Sequence, residues 1–403
     1  MCGIVGYIGN RSAQSVLLRG LRKLEYRGYD SAGVAVYCAD GIEVRKTAGR
    51  LSALERLLSL RPCRGSAGIG HTRWATHGRP SDVNAHPHTD ASGQIAVVHN
   101  GIVENHEQLR ERLAGKGHTF VSETDTEVIA HLIADLYDGD IASAVREAAK
   151  QLTGAFALLV MSAREPDKLV AARRLSPLVI GLGEGEQFVG SDIPAVLDYT
   201  RNVILLEDGE TAVIARDHVE VFDEAGNSVG KEVSYVIWDA EHAEKGGFDH
   251  FMMKEIYEQP RAYRDTLRSR LNGKRGGKTF ELAELNLAET EIRGIERIQL
   301  VACGTAYHAA LVGKYALEAL TRIPAEAEIA SEYRSRHPIV TDRTLIVAVS
   351  QSGETADTLA AVREAKGRGA RVVAVTNVVG SSLAREADAV LYTRAGPEIS
   401  VAS

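Results

Sequence analysis

Two hydrophobic rhythms that no single sheet can satisfy divide this 403-residue chain, and the change falls near residues 239 to 260. Before it, short apolar runs alternate with turn signals at 4–8, 33–37, 67–70, 95–99, 155–161, 169–172, 178–182, 203–206, 211–214 and 218–222. Helical periodicity interrupts them at 13–24, 105–113, 126–137 and 141–152. So many short strands call for large, mainly antiparallel sheets, and two sheets with helices packed outside would bury every apolar face. After it, strand and helix simply alternate: 297–301 leads to 306–320, 345–349 to 358–368, and 371–375 to a short helix before 389–392. Alternation with near-continuous apolar strands predicts a doubly wound α/β domain on a parallel sheet. The charged, glycine-containing segment between them reads as a linker. The expected division is therefore 2–238, a linker over 239–260, and 261–403.

Composition narrows the function classes. A formal charge of −7 with both signs interspersed, and 5% aromatic residues, give neither a basic face nor a stacking platform for nucleic acid. No apolar run approaches the length of a membrane span, and the N-terminus lacks the regions of a signal peptide, so a cytoplasmic protein without membrane partners is expected. Four scattered cysteines, Cys2, Cys38, Cys63 and Cys303, form no CxxC pair and indicate neither a disulfide framework nor a zinc knuckle. The histidines at 71, 77, 86, 88, 99 and 106 invite a metal, but they lack a helical HxxxH or a matching cysteine set. No metal or organic cofactor is called for.

Chemistry concentrates at two places. Removal of Met1 would leave Cys2 as the first residue, carrying a thiol nucleophile and an α-amine of pKa about 7.7 to 8.0 that can serve as its base. Position alone equally allows Cys2 to be a small apolar residue opening a strand. Arg73 stands at the end of a strand and can pair with a substrate carboxylate. Asn100 beside Gly101 can form an oxyanion hole or a hairpin turn, and Asp125 can hold a substrate ammonium or cap a helix. Arg27 and Asp30 can bind a ligand or each other. Together, a thiolate, an oxyanion hole, an arginine and an aspartate suit a zwitterionic amino acid bearing a side-chain amide, of which glutamine is the obvious candidate.

In the second half, Cys303-Gly304-Thr305 and Ser350-Gln351-Ser352-Gly353-Glu354-Thr355 each follow a strand and enter a helix. Hydroxyls, an amide and a glycine at a helix N-terminus make a phosphate cradle, or else caps for the helix that follows. No lysine follows the glycine and there is no GxGxxG, so a phosphorylated small molecule fits better than ATP or NAD. Cys303 also reads as a packing residue.

These stretches, with Leu24 to Gly33, His71 to Gly78, Val83 to His88, Val98 to Ile102, Ser122 to Glu127 and Ser350 to Thr358, closely resemble the motifs of the glutamine:fructose-6-phosphate aminotransferase (isomerizing) family, over essentially the whole chain. The resemblance implies a four-layered αββα N-terminal-nucleophile hydrolase domain, shared with other class II glutamine amidotransferases, followed by a SIS (sugar isomerase) domain. It implies hydrolysis of L-glutamine at Cys2 with Asn100 and Gly101 as oxyanion hole. Arg73, Thr76 and His77 would hold the α-carboxylate, Asp125 the α-amine, and Arg27 would be a further site residue. Trp74 would belong to a mobile loop gating an ammonia passage. Cys303, Gly304, Thr305, Ser350, Gln351, Ser352, Thr355, Val401 and Ser403 would line the fructose 6-phosphate site. In the family the product is glucosamine 6-phosphate plus glutamate, and the complete protein is a homodimer.

Two departures stand out. Ala306 replaces a serine found in some relatives, and the chain stops at Ser403, where the family continues with the lysine, glutamate and histidine used for imine formation, isomerization and ring opening. The expectation for these residues is a glutaminase with half a sugar site. The alternatives are a sugar-phosphate sensor with an inactive glutaminase domain, or an amidotransferase acting on another phosphosugar.

Overall fold

The computed structural model describes residues 2–25, 28–74, 78–236, 247–268, 270–274, 277–280, 283–285, 287–396 and 398–400. The chain divides into two compact units, Met1–Ala240 and Glu241–Ser403.

Two antiparallel sheets form the first unit. One runs Ser234–Tyr235, Asn202–Leu205, Val179–Leu182, Gln187–Gly190, Gly3–Ile8, Ala67–Arg73, Ser31–Cys38, Gly41–Ala48, and the other Ser228–Val229, Val219–Phe222, Thr211–Ala215, Glu165–Arg174, Phe156–Ser162, Ile95–Gly101, His88–Thr89. Side chains alternate across a strand. In Gly3–Ile8, Ile4 and Ile8 therefore enter the layer between the sheets, where they meet Ile69, Val98, Ala157 and Leu159. Val5 and Tyr7 face the other way, onto Leu17, Leu21 and Leu54 of helices Ala13–Leu24 and Leu51–Leu60. On the far side of the second sheet, Val97, Leu158 and Val160 pack against Leu109, Ile129 and Val145 of helices His106–Ala114, Thr126–Leu136 and Ile141–Gln151. The result is four layers, helix, sheet, sheet, helix. Between the sheets the fit is close: a Cβ on Gly6 would stand 2.4 Å from Leu159 Cδ2.

At one end this apolar layer gives way to polar residues. His71 and Arg73 continue the face of Ile69, and Asn100 continues the face of Val98, whereas His99 follows Val97 to the helix side and lies with Nδ1 2.9 Å from Thr126 Oγ1. His71, His86, His88 and His99 are all buried. The rings of His71 and His86 stack at 4.1 Å and 13°, and His88 stands edge-on to His86 at 4.9 Å. The loop carrying His86 is pinned by Lys46, whose Nζ donates to the carbonyls of Val83, Ala85 and Pro87 at 3.1, 2.7 and 3.1 Å. Burial opposes charge on every one of these rings: it pushes His71 down to about 3 and holds His86, His88 and His99 below the ordinary histidine range.

In the second unit, five parallel strands run Ala325–Ile329, Arg297–Ala302, Thr344–Ser350, Arg371–Thr376, Ala389–Tyr392. Helix Gly304–Thr321 covers one face, over Ile298, Leu300 and Ala302. Helices Ala330–Ser335 and Ala356–Gly367 cover the other, through Tyr333, Leu359 and Val362. The chain order across the sheet, second, first, third, fourth, fifth, reverses between Arg297–Ala302 and Thr344–Ser350, which is where open α/β sheets bind ligands. One expectation needs correction. Residues 251–260, read as linker, belong to helix Phe251–Arg268. Pro260 in its interior breaks the sequence signal, while Met252 with Ile256, and Tyr263 with Leu267, keep the i, i+4 spacing of a helix. Residues 239–246 of that stretch lie outside the described residues.

The buried histidines set an acid limit on the first unit. Below about pH 6.5 the unfolded chain takes up protons that the folded histidines refuse, so stability present above that pH is lost on acidification, by about 1.4 kcal/mol per pH unit for each such ring until its folded pKa is reached, about 3 for His71. Urea unfolding followed between pH 7.5 and 5.5 should show a steeply falling midpoint for this unit, and a flat profile would contradict the burial of these rings as neutral imidazoles.

Candidate active site

Cys2 immediately precedes Gly3–Ile8, whose neighbour Ala67–Arg73 pairs Thr72 with Gly3. Antiparallel register therefore sets Cys2 beside Arg73 and Trp74. The Trp74 N–H donates to Cys2 Sγ at 3.2 Å, and Sγ lies 3.5 Å from Trp74 O. From the other sheet, Asn100 Nδ2 donates to the main-chain oxygen of Cys2 at 2.9 Å. Gly101 ends that strand with φ +124°, where a Cβ would come 1.9 Å from Ala155 O, so the position tolerates only glycine.

Arg73 is 3% exposed and donates from Nη2 to Gly78 O at 3.0 Å. Burial lowers its guanidinium from the ordinary value, while the negative charges of Cys2, Asp125 and Asp30 oppose that shift. Asp125 is 4% exposed and accepts from Val103 N at 2.9 Å through Oδ2. It stands at the start of helix Thr126–Leu136, but its side chain makes no cap hydrogen bond there. Trp74 remains 43% exposed, edge-on to Tyr29 at 5.4 Å. Of the residues expected around glutamine, the structure thus brings Cys2, Arg73, Trp74, Asn100, Gly101 and Asp125 to one end of the sandwich, while Arg27, Thr76 and His77 lie outside the described residues.

Sequence reasoning gave no role to three residues that build this end. His71 Nε2 lies 3.0 Å from Asn100 Oδ1. Glu127 accepts from Val121 N through Oε1, and from Ser122 N and Ser122 Oγ through Oε2, each at 2.8 Å, which fixes the loop carrying Asp125. Asn84 Oδ1 accepts from Glu123 N at 3.0 Å, and its Nδ2 donates to Glu123 Oε2 at 3.0 Å. For His71 a signal existed: it lies two residues before Arg73 in one strand and therefore shares its face. Among the described residues no group of three His, Cys, Asp or Glu side chains is arranged to hold a metal ion.

In the second unit the loop after Thr344–Ser350 folds on itself. Ser350 Oγ lies 3.1 Å from Thr355 Oγ1 and accepts from Gly353 N at 3.1 Å, and Ser352 Oγ accepts from Glu354 N at 3.2 Å. Thr355 precedes helix Ala356–Gly367 without capping it through its side chain, so capping does not account for that hydroxyl. Gly353 has φ +66°, and a Cβ there would meet Ser381 Oγ at 2.1 Å. The neighbouring Cys303-Gly304-Thr305 stretch follows the adjacent strand and opens helix Gly304–Thr321. Its Cys303 Sγ lies 3.9 Å from Thr358 Oγ1, and Gly304 and Thr305 are exposed. Val401 and Ser403 lie outside the described residues.

Comparison with known proteins adds to this geometry. Residues 71–198 match a glutamine amidotransferase domain, and residues 291–403 match a SIS domain. The whole chain is 60% identical to a glutamine–fructose-6-phosphate aminotransferase [isomerizing] of Symbiobacterium thermophilum and 56% identical to one of Clostridium tetani, spanning 66% of the length of each. A solved structure described as the allosteric regulatory enzyme of purine biosynthesis is 21% identical, with a TM-score of 0.51 over 93% of this chain and 80% of that one, a likeness of fold alone. The antiparallel sandwich, the parallel sheet and the two domain matches agree with the full-length identity, and the chain belongs to the glutamine–fructose-6-phosphate aminotransferase (isomerizing) family.

Proposed function

We propose that the first unit hydrolyses L-glutamine at Cys2 and that the second binds fructose 6-phosphate, so that a chain of the relatives' full length makes glucosamine 6-phosphate and glutamate. The observation that carries this reading is the position of the Asn100 amide, 2.9 Å from the Cys2 carbonyl oxygen and on the same inter-sheet side as the strand end bearing Arg73. With Met1 removed, the Cys2 amine takes the thiol proton and Sγ attacks the glutamine γ-carbonyl. The oxygen that becomes negative is met by the second N–H of Asn100 Nδ2 and by the Gly101 N–H. Collapse transfers the proton to the departing ammonia and leaves a γ-glutamyl thioester, which water hydrolyses. Arg73 pairs with the α-carboxylate and Asp125 with the α-ammonium, opposite charges that also fit the field of each on the other. Thr76, His77 and Arg27 complete the pocket in this reading, and Trp74, beside Sγ, closes it.

In the second unit the Ser350 to Thr355 loop, with Cys303, Gly304 and Thr305 from the adjacent strand end, receives the phosphate of the sugar. The hydroxyl cluster at a helix N-terminus and at the reversal point of strand order supports it. Val401 and Ser403 extend that site. We place the protein in the cytoplasm, and the full-length form is proposed to be a homodimer.

Incubated with glutamine and fructose 6-phosphate, the 403-residue chain should release glutamate without forming glucosamine 6-phosphate. Cys2→Ala should abolish that release. No glutamate from correctly processed protein would sink the glutaminase reading, and fructose 6-phosphate binding with a retained Met1 would favour the sensor. Gly353→Ala, forced against Ser381 at a positive φ, should weaken fructose 6-phosphate binding in calorimetry by about tenfold or more while glutamate release persists. Unchanged binding would remove the loop from the sugar site.

A further inference from the structure

An asparagine side chain offers two ends of nearly equal shape and opposite chemistry. If the amide nitrogen of Asn100 faces the reacting carbon, it stabilises a developing oxyanion; if the oxygen faces it, it repels one. Nothing in asparagine itself decides which. The surroundings of Asn100 do. His71 Nε2 lies 3.0 Å from the main-chain oxygen of His99 and 3.0 Å from Asn100 Oδ1. A main-chain carbonyl only accepts, so Nε2 must carry the proton, and the Asn100 end that faces it must be the oxygen. On the opposite side a second main-chain carbonyl, that of Cys2, accepts from Asn100 Nδ2 at 2.9 Å. Turning the amide over would set N–H against N–H at His71 and oxygen against oxygen at Cys2.

The imidazole suits this task. Burial keeps it neutral, with its pKa pushed down to about 3, so it holds one ring proton and never presents a second charge to the thiolate. The proton is committed to Nε2, and the buried Nδ1 has no hydrogen-bond partner among the described residues, an arrangement that is maintained at some cost to stability. The ring cannot swing away to satisfy it, because its face is stacked on His86 at 4.1 Å, and His86 Nδ1 in turn accepts from His99 N at 3.4 Å.

We propose that His71 is a positioning residue for hydrolysis, holding the Asn100 amide nitrogen toward the oxyanion without itself touching substrate; this rests on the reading of Cys2 as the nucleophile of a glutaminase. The test compares the 403-residue chain, Met1 removed, with His71→Leu and His71→Gln. Leucine removes the donor, whereas glutamine offers an amide N–H at similar reach. His71→Leu should lower kcat for glutamate release about 100-fold, as loss of an oxyanion-hole donor does, with KM for glutamine within about threefold of the unaltered chain. Alkylation of Cys2 by iodoacetamide, which needs no oxyanion hole, should keep its rate, and His71→Gln should recover kcat to within about tenfold. A His71→Leu kcat within about threefold of the unaltered chain, a His71→Gln as slow as the leucine variant, or a matching loss in alkylation rate would overturn the proposal. Should the leucine variant fail to fold, nitrogen-15 NMR of histidine-labelled unaltered chain decides: an Nε2–H tautomer of His71 at neutral pH supports the proposal and an Nδ1–H tautomer overturns it. Absence of glutamate release from the unaltered chain, equal to that of Cys2→Ala, would instead be a failure of the glutaminase reading, and the tautomer still tests the His71 to Asn100 bond on its own.

Discussion

The hydrogen bond from Asn100 Nδ2 to the main-chain oxygen of Cys2 joins the ends of two sheets that no strand pairing connects among the described residues. It exists because alternation along a strand is strict. Ile4 and Ile8, Ile69, and Val98 face one another across the inter-sheet layer, and the same parity delivers Cys2, His71 with Arg73, and Asn100 to the end of that layer. A slip of one residue in any of these strands would send its polar members to the helix side, where His99 goes. The site is thus a continuation of the core, and its geometry is as rigid as the packing of Gly6 against Leu159 makes the sandwich.

Placing polar groups there has electrostatic consequences. Four histidines stay neutral because burial forbids their charge, which leaves Arg73 as a buried cation among Cys2, Asp30 and Asp125. In so weakly screened a setting a single oriented amide counts for more than it would in water, and orientation is what the neutral His71 supplies. Lys46 serves the same end from a distance by tying three carbonyls of the loop that brings His86 under His71.

Much of this was legible before the structure. The strands that sit inside a sheet, such as Gly3–Ile8, Phe156–Ser162 and Thr344–Ser350, are read from their apolar runs because both faces are covered. Two of the strands that escaped reading lie at sheet edges, whereas Gln187–Gly190, also unread, is a four-residue strand inside its sheet. Gly41–Ala48 is half-exposed along its whole length and carries Glu43, Arg45 and Lys46, and Ala325–Ile329 carries Glu326 and Glu328, paired to Arg297 and Arg336. Charge on an edge protects it and hides it from a hydrophobic reading. In the site, Cys2, Arg73, Asn100 and Asp125 were named from their chemistry, while His71 was weighed only as a metal ligand. A histidine that works by donating one proton to a neighbour carries no spacing of its own to find.

The two units divide the proposed labour as their sheets do, an antiparallel sandwich holding a nucleophile at its open end and a parallel sheet holding an anion at the reversal of its strand order. Family membership and the loop chemistry support both halves, and the proposed hydrolysis depends on Cys2. Its most direct test is intact-mass and peptide mapping of the 403-residue chain, quenched in acid during turnover of glutamine. A γ-glutamyl thioester on an N-terminal Cys2 is the predicted result; an unmodified Cys2 while glutamate accumulates, or an adduct on another residue, would contradict it.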